Sequence, residues 1–382
     1  MMRNGLVGRQ EKLDQALNSD LLFLAFFLSA VAMISDLGLI PNSSTVFQFL
    51  EALVFLSLYF FYILNRGISR LVLVFIGISL LILAVNRSPE MISSTMMITF
   101  IYIVFTEKNI NYRQLLKAFT YTSLVIFILA VAAYYLLNFN NHDLTTWRNN
   151  EHVFRKAIGF VHPNIAMVDY LSIVYGLIAL LKKANHRIFY LFLELVSYLI
   201  YTQTVSRTSY YVIFVALALL FILGGVADKR LPVFLGRIIT LLPLLLLFLS
   251  LYVLLVPYNK NLDALLSQRM LLYQRYYKMG GGLHLLRNVL LDNNSLIDNS
   301  YVQALITKGI VFTIQMVVIF MTWLNHYAKN MTYKGAILTG SFFCVAFTET
   351  SLQRFNLFFL MILVVANEAI KTFSSKKLNI KE

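Results

Sequence analysis

Apolar runs of about 20 residues, separated by short polar breaks, recur along the whole chain. A helix of roughly this length crosses the hydrocarbon core of a bilayer, and it satisfies its own backbone hydrogen bonds there. Hydrophobic residues make up 59% of the chain and charged residues only 13%. This balance is typical of membrane proteins. The sequence therefore predicts an all-α, polytopic integral membrane protein that forms a single membrane domain over residues 1–382.

The positions of these runs predict about twelve transmembrane helices. They start near residues 21, 45, 71, 91, 115, 164, 188, 209, 238, 301, 335 and 355. The first run has no small-residue cleavage site and is predicted to remain as a span. Two longer polar connections, residues 139–163 and 257–300, are predicted to be extracytoplasmic loops, and residues 264–279 of the second are predicted to form one interfacial helix.

The cations predict the orientation of the chain in the membrane. If the N-terminus is cytoplasmic, 20 of the 32 Lys and Arg residues fall in inner segments, and the short outer connections hold only Arg87, Arg207 and Arg354. The positive-inside rule then places both termini in the cytoplasm. Topology and attraction to anionic membrane lipids explain the net charge of +14, so a nucleic-acid partner is not expected.

A further group of cations lies in the two long outer loops, on the side that usually avoids positive charge. They are Arg148, Arg155, Lys156, Lys260, Arg269, Arg275, Lys278 and Arg287. Two explanations remain open at this point. Long loops tolerate charge freely, and an anionic ligand would also account for the cluster.

The stretch RKAIGFVHPNIA, residues 155–166, joins the first of these loops to an apolar run. Pro163, with His162 and Asn164 beside it, is predicted to begin the sixth helix, because proline is favoured in a first helical turn. Gly159 is predicted to bend the loop so that the cations and His162 face one cavity. A helix start explains the proline but does not explain Arg155 and Lys156.

In the second loop, helical periodicity places Arg269 on the same face as Leu272, Tyr273 and Tyr276, with Gln274 and Lys278 on the far side. The fork of a guanidinium suits a phosphate or a carboxylate. Arg269 is therefore predicted to bind a phosphate, or to pair with Asp263 or Asp298.

Two polar stretches near later spans leave further alternatives open. Asp298 and Asn299 precede the tenth span. One prediction is that either residue caps the helix. The other is that Asp298 acts as a base at the edge of the membrane. Glu349 and Arg354 share a short outer turn and are predicted to pair with each other.

Several catalytic motifs are absent from the sequence. It contains no P-loop, no GxGxxG after a strand, no HExxH and no Cys/His spacing typical of metal sites. Its single cysteine, Cys344, excludes an intrachain disulfide. We therefore expect no metal and no other cofactor.

Four stretches resemble the O-antigen ligase and polymerase family, whose members join lipid-linked glycans at the outer face of bacterial inner membranes. They are RKAIGFVHPN, SRTS (206–209), SQRMLLYQ and DNSYVQALITKGI (298–310), and they cover roughly residues 145–320. The last resembles a family pattern that has Asn299, an aromatic at Tyr301 and Gly309 about ten residues after the Asn. Ligases of this family carry a His where this chain has Asp298, and this difference favours a polymerase of repeat units.

The resemblance implies a glycosyltransferase whose substrates are polyprenyl-pyrophosphate-linked oligosaccharides, in O-antigen, capsule or exopolysaccharide synthesis. It implies a multi-pass protein of the bacterial cytoplasmic membrane, with a flippase and a chain-length regulator as partners. The expected roles are catalysis by Asp298, His162 and Arg269, pyrophosphate binding by Arg155, Lys156, Arg207 and Arg275, and positioning by Gly159, Pro163, Asn164, Asn299, Tyr301 and Gly309.

Three other functions remain as alternatives. A flippase or transporter of lipid-linked oligosaccharides also needs many spans and cations, but transporters usually show matching Gly/Pro-broken spans in two halves, and none are evident here. An O-antigen ligase differs from a polymerase mainly in its acceptor. A peptidoglycan glycosyltransferase of the cell-shape type shares the chemistry but fits these motifs less well.

Overall fold

The computed structural model describes residues 110–286 and 297–378, apart from 141, 149, 150, 267 and 354, together with residues 70–86 and parts of 19–39. The spans predicted near residues 45 and 91 lie outside the described residues, and so do both chain ends. The predicted pairing of Glu349 with Arg354 also falls outside them, because Arg354 is not described.

The described part of the chain is mostly helical. Its α-helices are α1 (Arg70–Asn86), α2 (Tyr112–Leu137), α3 (Pro163–Leu180), α4 (Arg187–Thr204), α5 (Arg207–Leu223), α6 (Val233–Leu255), α7 (Lys260–Leu265), α8 (Arg269–Met279), α9 (Ser300–Gln303), α10 (Ile310–Ala328), α11 (Tyr333–Thr348) and α12 (Phe355–Leu378). Short 3-10 helices cover Gly224–Asp228 and Ser351–Gln353, and a π-helix covers Ala304–Lys308.

Five of the described helical segments are long and apolar enough to cross a membrane. They are α2, α3, the segment Arg207–Asp228 that contains α5, α6 and α10. The prediction of a helical membrane protein is confirmed at this level, whereas the number of twelve spans stays a prediction. The predicted starts near residues 115, 164, 209 and 238 fall within five residues of the observed helix starts.

Helix α3 is the most enclosed of these five segments, with 83% of its residues buried. It packs against α2, α4, α5 and α12. Gly176 allows the close approach of α2, because a Cβ atom there would lie 2.2 Å from the hydroxyl oxygen of Thr120. Small residues are common where membrane helices pack closely. The enclosed position of α3 matters because its N-terminus carries His162, Pro163 and Asn164.

One end of the bundle gathers cations that the sequence assigns to inner segments, and we call it the basic end. Here Arg113 of α2 donates to the carbonyl of Leu180 at 3.0 Å, and Arg230 donates to Asn330 at 2.9 Å. The opposite end, which we call the loop end, holds the start of α3, the α4–α5 turn, and the described parts of the second long loop, residues 256–286 without 267 and residues 297–300. Antiparallel packing of successive helices produces this separation.

A β-hairpin interrupts the helical pattern at the loop end. Strands β1 (Leu144–Arg148) and β2 (Glu151–Arg155) pair antiparallel, with Leu144 opposite Arg155 and Arg148 opposite Glu151. The all-α prediction did not include this two-stranded hairpin, which lies within the predicted first outer loop. Its Thr, Trp, Val and Phe residues favour strands, and the hairpin lies in the predicted outer loop, where backbone pairing replaces bonds to water.

The predicted continuous interfacial helix is also wrong, because it is two helices, α7 and α8. The helical backbone is interrupted before Arg269, where Gln268 adopts a left-handed φ of 66°. The carboxylate of Asp263 spans the break and accepts from the backbone N–H of Leu271 at 3.2 Å. Gln274, predicted to face outward, instead donates to the carbonyl of Val256 at 2.7 Å and ties α8 to the end of α6.

A buried ion cluster fastens the basic end. Lys334, whose side chain is fully buried, lies 3.4 Å from the carboxylates of both Asp228 and Glu368. Its ammonium group also donates to the carbonyl of Leu181 at 3.4 Å. The cluster therefore connects α11, α12, the 3-10 helix after α5, and the end of α3.

Replacement of Lys334 by Met should destabilise the fold by about 3–5 kcal/mol, because it leaves the buried carboxylate of Glu368 without its cation. The measurement is thermal and chemical unfolding of the protein in detergent. The exposed Lys329→Met variant is the matched control and should change stability by less than about 0.5 kcal/mol. Adding Glu368→Gln to Lys334→Met should recover part of the loss, and equal stability of the single variant and the wild type would contradict the role of the cluster.

Candidate functional site

A cavity of about 270 Å³ opens at the loop end, and we call it the loop-end cavity. Three stretches of chain line it, namely the start of α3, the residue before the α9 cap, and the turn after α11. Its lining residues are Val161, His162, Asn164, Ile165, Val168, Asp298, Glu349, Thr350 and Ser351. Polar side chains from distant parts of the sequence therefore meet at one place, as functional sites commonly require.

Arg269 connects the stretches that form this cavity. One guanidinium nitrogen lies 3.0 Å from the Asp298 carboxylate and 3.8 Å from that of Glu349, and the other terminal nitrogen donates to the carbonyl of Thr348 at 2.8 Å. The partner of Arg269 is thus Asp298, not Asp263. Arg269 contacts both acidic lining residues without itself lining the cavity.

Asn299, and not Asp298, caps helix α9. The Asn299 side-chain oxygen accepts from the backbone N–H groups of Tyr301 and Val302, each at 2.9 Å. Its amide also bonds Ser250 of α6 at 3.2 Å. The side chain of Asp298 is therefore not needed for capping, and its role as a base stays a prediction. The predicted positioning role of Asn299 has a clear geometric basis.

His162 caps α3. Its Nδ1 atom accepts from the backbone N–H of Asn164 at 3.1 Å, and Pro163 occupies the first turn of the helix. A backbone N–H can only donate, so Nδ1 carries no proton in this arrangement. The proton of the neutral imidazole is then on Nε2. The predicted helix start at Pro163 is confirmed.

Arg155 lies behind the cavity and not in its lining. The residue is 2% exposed, and its guanidinium donates to the carbonyl of Thr204 at 2.9 Å and to the side-chain oxygen of Asn164. It thereby joins strand β2 to the end of α4 and to a lining residue. The contacts of Arg155 are those of a positioning residue, and its predicted role in binding pyrophosphate stays a prediction.

The other predicted pyrophosphate ligands lie at the loop end but outside the lining. Lys156 is above the ring of Tyr135, with its ammonium 5.8 Å from the ring centre. Arg207 begins α5 beside Tyr201, and its side chain is exposed. Arg275 is exposed on α8. The structure thus brings Asp298, His162, Asn164 and Arg269 together and leaves these three cations outside the lining.

Glu349 is one of the polar lining residues that the sequence reasoning missed, together with Thr350 and Ser351. It is 7% exposed, and its backbone carbonyl accepts from the hydroxyl of Ser300 at 2.8 Å. That bond holds the turn after α11 against the start of α9. The only signal in the sequence is an acidic residue directly after an apolar run, and its neighbour Arg354 suggested a local pair instead.

Tyr273 of α8 is buried near Arg269, Asp298 and Glu349. Burial raises the pKa of its phenol, Arg269 opposes the rise, and the carboxylates of Asp298 and Glu349 add to it. The phenol is therefore neutral at physiological pH. Together with Met270 and Tyr276, the other buried residues of α8, it packs the helix beside α6.

Two predicted glycines are required by backbone geometry. Gly159 has a φ of 92°, and a Cβ there would lie 2.7 Å from the carbonyl oxygen of Ala130. Gly309 has a φ of 90°, and its Cβ would lie 2.9 Å from the carbonyl oxygen of Leu285. Tyr301, the aromatic of the same motif, is fully buried. None of these three residues lines the cavity.

Among the described residues, no group of three or more His, Cys, Asp or Glu side chains is arranged to hold a metal ion. Comparisons with family models, with curated proteins and with solved structures find no match for this chain. The interpretation of the site therefore depends on its geometry and on the sequence resemblance.

Gly159→Ala should destabilise the protein by at least about 2 kcal/mol, because the left-handed conformation and the contact with α2 both disfavour a side chain. Unfolding in detergent measures this loss. Gly225→Ala is the matched control, since its Cβ would meet no atom within 4 Å, and it should be neutral or slightly stabilising. Equal effects of the two substitutions would show that Gly159 is not conformationally required.

Proposed function

We propose that this protein is a glycosyltransferase that joins polyprenyl-pyrophosphate-linked oligosaccharide repeat units, that is, a polysaccharide polymerase of the bacterial cytoplasmic membrane. The observation that carries the proposal is the meeting of Asp298, Glu349 and His162 at one cavity, with Arg269 bound to both carboxylates. Proton acceptors beside a fixed cation suit the transfer of a sugar from a phosphate leaving group.

The separation of charge along the bundle supports an outer location for this chemistry. The positive-inside rule assigns the basic end to the cytoplasm, so the loop-end cavity opens outward. Cytoplasmic nucleotide-sugars do not reach that face. The donor sugar is therefore carried by a membrane lipid, and the energy of the reaction comes from its pyrophosphate bond.

In the proposed reaction an acceptor hydroxyl attacks the anomeric carbon of the donor sugar. The new glycosidic C–O bond forms, the C–O bond to the pyrophosphate breaks, and the lipid pyrophosphate leaves with that electron pair. The hydroxyl proton passes to a carboxylate, and Asp298 is the assigned base. His162 suits this role less well in its present tautomer, because Nδ1 accepts from Asn164 and Nε2 already carries the proton.

The cations divide into two roles in this proposal. Arg269 stabilises the negative charge that develops on the leaving group, since a fixed cation in a partly buried site acts strongly there. Lys156, Arg207 and Arg275 bind the pyrophosphate of the lipid carrier at the membrane surface, and membrane lipids surround the chain. Arg155 holds Asn164 in place. A flippase that delivers the repeat units and a chain-length regulator are the expected partners.

The proposed function is tested in cells that lack the chromosomal gene and carry a plasmid copy. Asp298→Asn and Arg269→Gln should each reduce polymer synthesis by about 10²-fold or more, since each removes one catalytic group. The exposed Lys278→Gln variant on α8 is the matched control and should give normal chain length. Polymer length is read on gels, with protein abundance measured in the same membranes.

The same cells separate the alternatives. Loss of a polymerase leaves single lipid-linked repeat units at the outer face, whereas loss of a flippase leaves them at the inner face. Loss of a ligase leaves full-length polymer on its lipid carrier. Normal polymer in both Asp298→Asn and Arg269→Gln cells would refute the proposed function.

A further inference from the structure

The lining of the loop-end cavity combines acidic and hydrogen-bonding side chains with the aliphatic side chains of Val161, Ile165 and Val168. Asp298 and Glu349 contribute two carboxylates, and Asn164, Thr350 and Ser351 contribute an amide and two hydroxyls. Among the described residues no Lys or Arg lines the cavity. Among the described residues, the guanidinium of Arg269 contacts both carboxylates from outside the lining.

Ser351 points to a ligand in this cavity. The residue is 1% exposed and lines the cavity, yet its hydroxyl oxygen has no hydrogen-bond partner among the described residues. Buried hydroxyls in folded proteins almost always have a partner. A polar group inside the cavity would supply it, because a hydroxyl can both donate and accept.

The volume limits what this group can be. At about 270 Å³ the cavity is slightly smaller than the roughly 300–1,000 Å³ typical of pockets for drug-sized ligands. It has room for one sugar ring, whereas a whole oligosaccharide exceeds it. A ring with several hydroxyls would also match the mixture of acceptors and donors in the lining.

The carboxylates of the lining favour a sugar over a phosphate as the ligand of the cavity. A phosphate group carries about −1.5 to −2 charges at neutral pH, and the two carboxylates of the lining repel it. Sugar hydroxyls, in contrast, donate to carboxylates in charge-assisted hydrogen bonds. The cavity interior therefore favours an uncharged, hydroxyl-rich group over the charged part of the lipid carrier.

We propose that the loop-end cavity is a subsite for a single uncharged sugar ring, with Glu349 and Ser351 as its hydrogen-bond partners, and that pyrophosphate binds outside it. We assign this sugar as the reacting residue of the acceptor, because its hydroxyl then lies beside the assigned base, Asp298. This assignment rests on the proposed function. The subsite itself is defined by the lining residues and does not require that catalytic role.

Saturation-transfer NMR on the full-length protein in lipid nanodiscs tests the subsite. The probes are methyl hexopyranosides and methyl N-acetylhexosaminides, with inorganic pyrophosphate as competitor. At least one glycoside should receive saturation from the protein, and an excess of pyrophosphate should not displace it. Glu349→Gln should weaken this binding about tenfold, and Ser351→Ala about threefold.

The chain offers a matched control for each variant. Glu194→Gln replaces a glutamate that bonds Tyr210 away from the cavity, and Ser341→Ala removes a hydroxyl that donates within α11. Both should bind the glycoside as the wild type does. Thermal unfolding of all four variants identifies any that fail to fold, and the remaining cavity variant then decides the result.

Three results would overturn the subsite. They are saturation of none of the glycosides, displacement of the bound glycoside by pyrophosphate, and wild-type glycoside binding by both cavity variants. These outcomes differ from failure of the proposed function. If Asp298→Asn and Arg269→Gln cells make normal polymer while the glycoside still binds through Glu349, the subsite stands and the glycosyltransferase does not. If those cells lose the polymer but no glycoside binds, the glycosyltransferase stands and the subsite does not.

Discussion

The guanidinium of Arg269 is the contact on which the loop-end cavity depends. It reaches Asp298 before α9, Glu349 after α11 and the last carbonyl of α11, while its own backbone begins α8. Among the described residues it is the cation that contacts both carboxylates, and the loss of one partner of a buried ion pair is strongly unfavourable. A long-range ion pair thus holds together elements that the chain separates by about 80 residues.

Local features of the site could be predicted from the sequence because their causes are local. The start of α3 follows from Pro163 and from the capping groups of its neighbours, which act within a few residues along the chain. The glycines at 159 and 309 occupy left-handed positions that other residues rarely adopt. The helical membrane class follows from the apolar runs alone.

Contacts between distant segments could not be predicted in the same way. Nothing in the sequence near Arg155 indicates that its guanidinium binds the end of α4, and nothing near Glu349 indicates Ser300 as a neighbour. The sequence suggested hydrogen-bond and ion-pair partners that are close along the chain, whereas the folded protein brings distant residues into contact. The hairpin that ends at Arg155 was missed for a different reason. Its strand-favouring residues are few, and their signal is weak beside the dominant apolar runs.

The charge pattern of the loop end reconciles an acidic cavity with a basic surface. Two unit charges 4 Å apart interact by about 4 kcal/mol near a protein surface, so the position of each charge decides where an anion can bind. Lys156, Arg207 and Arg275 all lie outside the cavity lining, while Asp298 and Glu349 lie in it. A substrate with a charged pyrophosphate and an uncharged glycan matches this division, since each part then meets its complementary surface. A fully anionic ligand would gain from the surface cations but lose that gain on entering the cavity.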